Sequence, residues 1–238
     1  TVPFIARYRK EATGGLDDAQ LRYIEERNTY LVELVERKQA VLESIEAQGK
    51  LTDELKREIL AADSKARVED LYLPYKKRRK TKADIAREAG LEALEQQLID
   101  DPTASPEALA EAHLSEGFPD AKSALEGARA ILVDRFATDA DLVGEVRDRV
   151  YKQGTMRSTP VEGKETEGAK FADYFEFSEP FVNLPSHRIL ALLRGEAEGV
   201  LTLDMDPGDE AVYEGMIAER FALPVKESEW LAKAVRWG

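Results

Sequence analysis

Apolar residues at Leu21, Ile24, Leu31, Val35, Leu42 and Ile45 fall on a three-four spacing, with Asn28 and Lys38 filling the gaps. This pattern predicts one long helix from roughly Leu16 to Gln48, about 45 Å at 1.5 Å per residue, ended by Gly49. Thr52 before Asp53 and Glu54 predicts a second start, with Leu55, Ile59 and Leu60 as its buried face. A short helix carrying Val68, Leu71 and Tyr72 must stop near Leu73, because Pro74 disfavours a helical residue before it. Ahead of the long helix, Phe4, Ile5 and Tyr8 need a packing partner on a short amphipathic piece. Arg7, Arg9 and Lys10 form its solvated face, and Thr13-Gly14-Gly15 turns the chain.

Further starts and stops follow at short intervals: Thr81 before Asp84, Gly90 as a stop, Ser105-Pro106 as a cap, then Asp120. Ala124, Leu125, Ala128, Ile131, Leu132 and Phe136 make one helical stripe. Thr138 restarts the count for Leu142, Val143, Val146, Val150 and Tyr151, ended by Gly154. The polar segment that follows leads into an aromatic group of Phe171, Tyr174, Phe175, Phe177 and Phe181. Ser186 is expected to cap a helix that Gly195 stops. Leu201, Leu203 and Met205 then alternate as in a strand, whose expected partner lies in 155–161. Helices near 209–221 and 226–237 complete a mainly α fold with a small β element near 155–161 and 199–205. The change of texture suggests a helical domain over 1–154 and a smaller, mostly helical one over 155–238.

The 238 residues include no cysteine, which excludes disulfides, thiolate nucleophiles and Cys-ligated zinc. No apolar run reaches the ~18 to 20 residues of a membrane helix and no signal peptide opens the chain, so a cytoplasmic protein without a membrane partner is expected. A first residue other than Met, and an apolar stripe at Trp230, Leu231, Ala234 and Val235 close to the end, suggest a piece of something longer. Such a piece would leave aromatic surface around Trp230 and Trp237.

Charge then changes the picture. The chain carries −13, yet six basic residues and no acid lie between Lys76 and Lys82, leaving 28 basic against 47 acidic residues elsewhere. Lys76, Lys77, Arg78, Arg79, Lys80 and Lys82, with Tyr75 and Tyr72 beside them, are candidate contacts to phosphates and bases of RNA or DNA. Equally, the tyrosines can face the core while the cations neutralise acidic helices of the same molecule or dock a neighbouring domain.

The segment 82–100 has the proportions of a helix-turn-helix, with Ile85, Ala86 and Ala89 before Gly90 and Leu91 after it. Its second helix has no Lys or Arg, and its carboxylates would repel phosphates; Gln96 and Gln97 are its only base-reading candidates. Catalytic sets are missing. His113 and His187 stand apart, and His187 beside Arg188 at a helix start reads as an anion contact or a structural group. "EGKET" fails as a phosphate loop and "DMDPGDE" as a calcium loop. No enzyme, cofactor, metal or small-molecule substrate is expected.

The strings "TVPFIARYRKEATGGLD", "VEDLYLPYKKRRKTKADIAREAGLE", "EGAKFADYFEFSEP" and "LPSHRILALLRGEAEGVL" resemble, in order, the bacterial Tex family of transcription accessory proteins, distant relatives of a eukaryotic transcription elongation factor. The resemblance runs over nearly the whole chain. It implies an amino-terminal helical portion, followed in the family by RNase-H-like, helix-hairpin-helix and OB-fold domains. It also implies nucleic-acid binding mainly through the last of these, with the transcription machinery as a further partner.

Overall fold

The computed structural model describes residues 1–76 and 79–238, which fall into two compact units, Thr1–Lys77 and Arg78–Gly238. The first unit holds helices α1 (Val2–Tyr8), α2 (Lys10–Thr13), α3 (Asp18–Glu46), α4 (Asp53–Ala61) and α5 (Lys65–Tyr72), and a 3-10 turn at Leu73–Tyr75. Each longer helix starts where a side chain can take up free amides: Asp17 and Gln20 form a capping box on α3, Thr52 caps α4 and Ser64 caps α5. The long helix therefore lies where the apolar spacing put it.

Its buried face is different. Leu34, Val41, Leu42 and Ile45 of α3 are buried, as are Ile59 of α4 and Val68 and Leu71 of α5, two helices that both contact α3. Leu31 is exposed and Val35 is 66% exposed, against the expected stripe. Leu60, assigned above to the buried face of α4, is exposed too. Nor do Phe4, Ile5 and Tyr8 find a core: α1 contacts α3 yet buries none of its residues, and the Phe4 and Tyr8 rings pair with each other at 5.2 Å.

The second unit begins with α6 (Lys82–Glu88), α7 (Glu92–Asp100) and α8 (Pro106–Ala110), followed by α9 (Ala121–Thr138) and α10 (Ala140–Gln153). Strands β1 (Thr155–Pro160) and β2 (Phe177–Pro180) precede α11 (Ser186–Ala197), β3 (Leu201–Asp206), α12 (Glu210–Arg220) and α13 (Glu229–Trp237). Thr81 and Asp84 form a capping box on α6, Ser105 caps α8 and Asp120 caps α9. Asp139, rather than Thr138, caps α10. The sheet is antiparallel with order β2-β1-β3, so the expected pairing of 155–161 with the later strand is present and a third strand, β2, joins it.

Gly195 does not stop α11. It is buried inside the helix against Leu201, and the helix ends before Gly199, whose φ of 69° only glycine adopts without strain. Ser186 is the first helical residue rather than the cap.

Among the described residues, three apolar clusters organise this unit. Leu91, Leu94, Leu98, Ala124, Ala128 and Ile131 join α6 through α9. A second cluster brings Leu132, Phe136 and Leu142 against Ile217, Leu223, Leu231 and Val235, and so spans the change of texture at Gly154. The third gathers Phe171, Leu192, Val200 and Leu201 with Tyr174, Phe175 and Phe177 over the sheet. Trp230 packs against both helical clusters and is half-buried, unlike the exposed group expected there; Trp237 is 69% exposed. Among the described residues, no helix is long and apolar enough to cross a membrane.

Candidate nucleic-acid interface

Residues 76–82 join the two units in sequence, so their surroundings are set separately on each side. In the first unit, α5 ends at Tyr72 and the Leu73–Tyr75 turn carries the chain to an exposed Lys76. Tyr72 is committed to its own unit. Its hydroxyl is 3.0 Å from Ser44 Oγ, and the Arg37 guanidinium lies 5.5 Å over its ring. Arg37 is itself held by Glu69 through two hydrogen bonds of 2.5 and 3.1 Å. That pairing holds the Glu69 carboxyl below its usual range, and the nearby Lys76 charge pushes the same way. Tyr75 is half-buried, and its carbonyl accepts from Gln48 Nε2 at 2.9 Å.

In the second unit Arg79, Lys80 and Lys82 are exposed. Lys80 Nζ meets Glu88 at 2.6 Å, whereas Arg79 and Lys82 belong to no ion pair among the described residues. Lys77 and Arg78 lie outside the described residues.

Helix α7 offers little to a base edge. Gln96 donates to Asp100 at 2.8 Å and Gln97 pairs with His113 at 3.0 Å, so both glutamines, though exposed, already have side-chain partners in the same chain. Glu95 is buried rather than facing outward, with Arg135 of α9 at 2.5 Å. Burial raises its pKa above the usual carboxylate range, against the pull of Arg135. Sequence reasoning missed this pair, although Leu91, Glu95 and Leu98 share an i, i+4, i+7 face that could have shown it. Arg87 was missed as well: it ties α6 to Asp134 at 2.9 Å and to Glu92 at 3.5 Å.

Arg188 is no anion site beside His187, since both oxygens of Glu179 on β2 take its guanidinium at 2.6 and 2.7 Å. No group of three or more metal-ligating side chains occurs among the described residues.

A family model described as Tex central region-like matches residues 101–238, and one described as Tex-like protein N-terminal domain matches residues 1–46. A protein of Neisseria gonorrhoeae called transcriptional accessory protein Tex is 54% identical over 243 residues, covering 99% of this chain and 32% of its own length. Protein YhgF of Escherichia coli is 50% identical, over 100% of this chain and 32% of that protein. A human relative called S1 RNA-binding domain-containing protein 1 is 31% identical over 88% of this chain and 22% of its own length. The chain thus spans about a third of the bacterial relatives, and with a central-region model covering residues 101–238 it belongs to the Tex family.

Proposed function

We propose that this chain is the helical scaffold portion of a cytoplasmic, nucleic-acid-binding transcription accessory protein, with the run at residues 76–82 adding auxiliary phosphate contacts. The segregation of charge carries the reading: six cations stand together in a chain of net −13. The exposure of Arg79 and Lys82, outside any ion pair among the described residues, supports this reading. Membership of the Tex family and a human relative named for an S1 RNA-binding domain support the same partner class. Lys76, Lys80 and Tyr75 add to the contact in this reading, and no catalytic step belongs to the chain.

Binding of single- and double-stranded RNA and DNA at several salt concentrations tests it. Replacing Lys77, Arg78, Arg79 and Lys80 with Gln should weaken all sequences alike and flatten the log affinity against log salt slope by about 0.7 to 0.9 per lost contact.

The Lys80–Glu88 pair and the pull of Lys76 on Glu69 favour a second reading, in which the cations serve the protein's own acids and the chain is an interaction module. An unchanged salt slope together with lower thermal stability would establish that one.

A further inference from the structure

A groove of about 450 Å³ opens in the second unit where α6 and α9 meet the end of α13. Its size falls in the range of roughly 300–1,000 Å³ typical of ligand sites. The walls are apolar: Ile85, Phe118, Val133 and the indole of Trp237 line it, with Ile85 48% exposed and Trp237 more so. Large apolar side chains left open in one concave place mark a recognition surface rather than scattered surface hydrophobes.

Two cations, Lys82 and Arg129, and one acid, Glu126, also line the groove. Arg129 stacks its guanidinium 4.8 Å from the Trp237 ring centroid. Neither cation belongs to an ion pair among the described residues, whereas the neighbouring Lys80, Arg87 and Arg135 are held by Glu88, Asp134 and Glu95. In a chain with 47 acidic residues, a groove lined by two cations and one acid is locally positive.

We propose that this groove docks an acidic amphipathic peptide of a partner protein, with a large apolar side chain between Ile85, Val133 and Trp237 and carboxylates on Lys82 and Arg129. A nucleic-acid base fits the walls less well. Its edge carries several donors and acceptors, and apart from Lys82, Ser123, Glu126 and Arg129 the lining residues bring no charged, hydroxyl or amide side chain to meet them. The one hydroxyl at the wall, on Ser123, already donates to the Asp120 carbonyl in the α9 cap. An apolar peptide side chain asks for no such partners, and neighbouring carboxylates can pair with the two lining cations.

The test is fluorescence anisotropy on the 238-residue chain with a dye-labelled fourteen-residue probe that places Leu and Phe at i, i+3, i+4 and i+7 of a helix and Glu at the remaining positions. A scrambled probe of the same composition, the same probe with Lys for Glu, and a labelled twelve-nucleotide oligo-dT serve as comparisons. Saturable binding of the Glu probe alone is expected, weakened about tenfold by Arg129→Glu and by Val133→Asp. Because Arg129 is half-buried and stacked on Trp237, Arg129→Gln is measured beside Arg129→Glu: it should keep the melting temperature of the parent and still weaken the Glu probe, so that a loss of binding is not a loss of fold. Equal binding of the scrambled probe, or binding that Arg129→Glu leaves intact, would overturn the proposal. So would oligo-dT binding that Arg129→Glu abolishes, which would make the groove a nucleic-acid site. Lys82 also stands in the basic run, so it is left unchanged; failure here leaves the salt-slope test of that run untouched.

Discussion

Glu95 sits 4% exposed between Leu94 and Leu98, and burial raises its pKa while Arg135 opposes the rise. A raised carboxyl pKa means the folded state holds the proton more tightly than the unfolded chain. Its contribution to stability is therefore fully present below the usual carboxylate range and is lost as pH rises through the raised value. Glu95→Gln should leave stability at neutral pH unchanged or higher, because the partner Arg135 is itself half in water and is not stranded by the change. The gain over the parent should grow as pH rises above the usual carboxylate range, read from urea unfolding at each pH. Glu69 has the opposite sign. Its lowered pKa makes its contribution present above the usual range and lost as pH falls through the lowered value. Glycines give a second residue-scale test. A Cβ at Gly195 would meet Leu201 Cδ1 at 2.5 Å and Cγ at 2.8 Å, while one at Gly215, also inside a helix, would meet nothing within 4 Å. Gly215→Ala should stabilise by up to about 1 kcal/mol through helix propensity. Gly195→Ala should destabilise by about 1–3 kcal/mol through overpacking. Paired denaturant titrations decide, and a shared sign would refute the assignment.

At the scale of elements, what was legible in the chain followed from local chemistry. Caps at Thr52, Thr81, Ser105 and Asp120 each place a side-chain oxygen on a free helical amide, an interaction completed within three residues, so those starts stand where the residues put them. What depended on a distant partner was not legible. Spacing alone could not tell which strip of α3 its neighbours would cover: Leu34, Val41, Leu42 and Ile45 are buried, while Leu31 and Val35 on the expected stripe stay in water. Strand β2 has four residues and ends in proline, too short for an alternation to show. In the candidate site, the basic run was plain from charge alone, while the engagement of Tyr72 by Ser44 and Arg37 needed the fold. The central strand β1 reads TMRSTP, yet its Ser158 is almost fully buried and donates from Oγ to the Tyr174 carbonyl at 2.5 Å. Opposite Phe177 and Leu203, this serine fixes the strand to the aromatic segment. Ser158→Ala should cost about 1 kcal/mol or somewhat more, since the carbonyl loses its donor. Near-ultraviolet circular dichroism of the nearby aromatics should change with it; a variant with the parent's stability and spectrum would show that the bond contributes nothing.

For the whole molecule the question is where the chain can be cut. The texture changes at Gly154, where helices give way to a polar loop and a sheet, but the apolar cluster of Leu132, Phe136 and Leu142 with Ile217, Leu223, Leu231 and Val235 lies on both sides of that point. Removing residues before 155 would uncover Ile217 on α12, Leu231 and Val235 on α13, and Leu223 between them, each worth about 1.5–3 kcal/mol when buried, and a domain's whole margin is only about 5–15 kcal/mol. A cut at the boundary between the two units keeps the cluster complete. Residues 79–238 expressed alone should therefore unfold in one cooperative transition, with Trp230 emission as blue as in the intact chain, because its contacts in both helical clusters are retained. Residues 155–238 should show red-shifted emission and no cooperative transition. A sharp melt of 155–238 close to that of 79–238 would show instead that the sheet, α11, α12 and α13 form a domain of their own, and that residues 132–142 only lean against it.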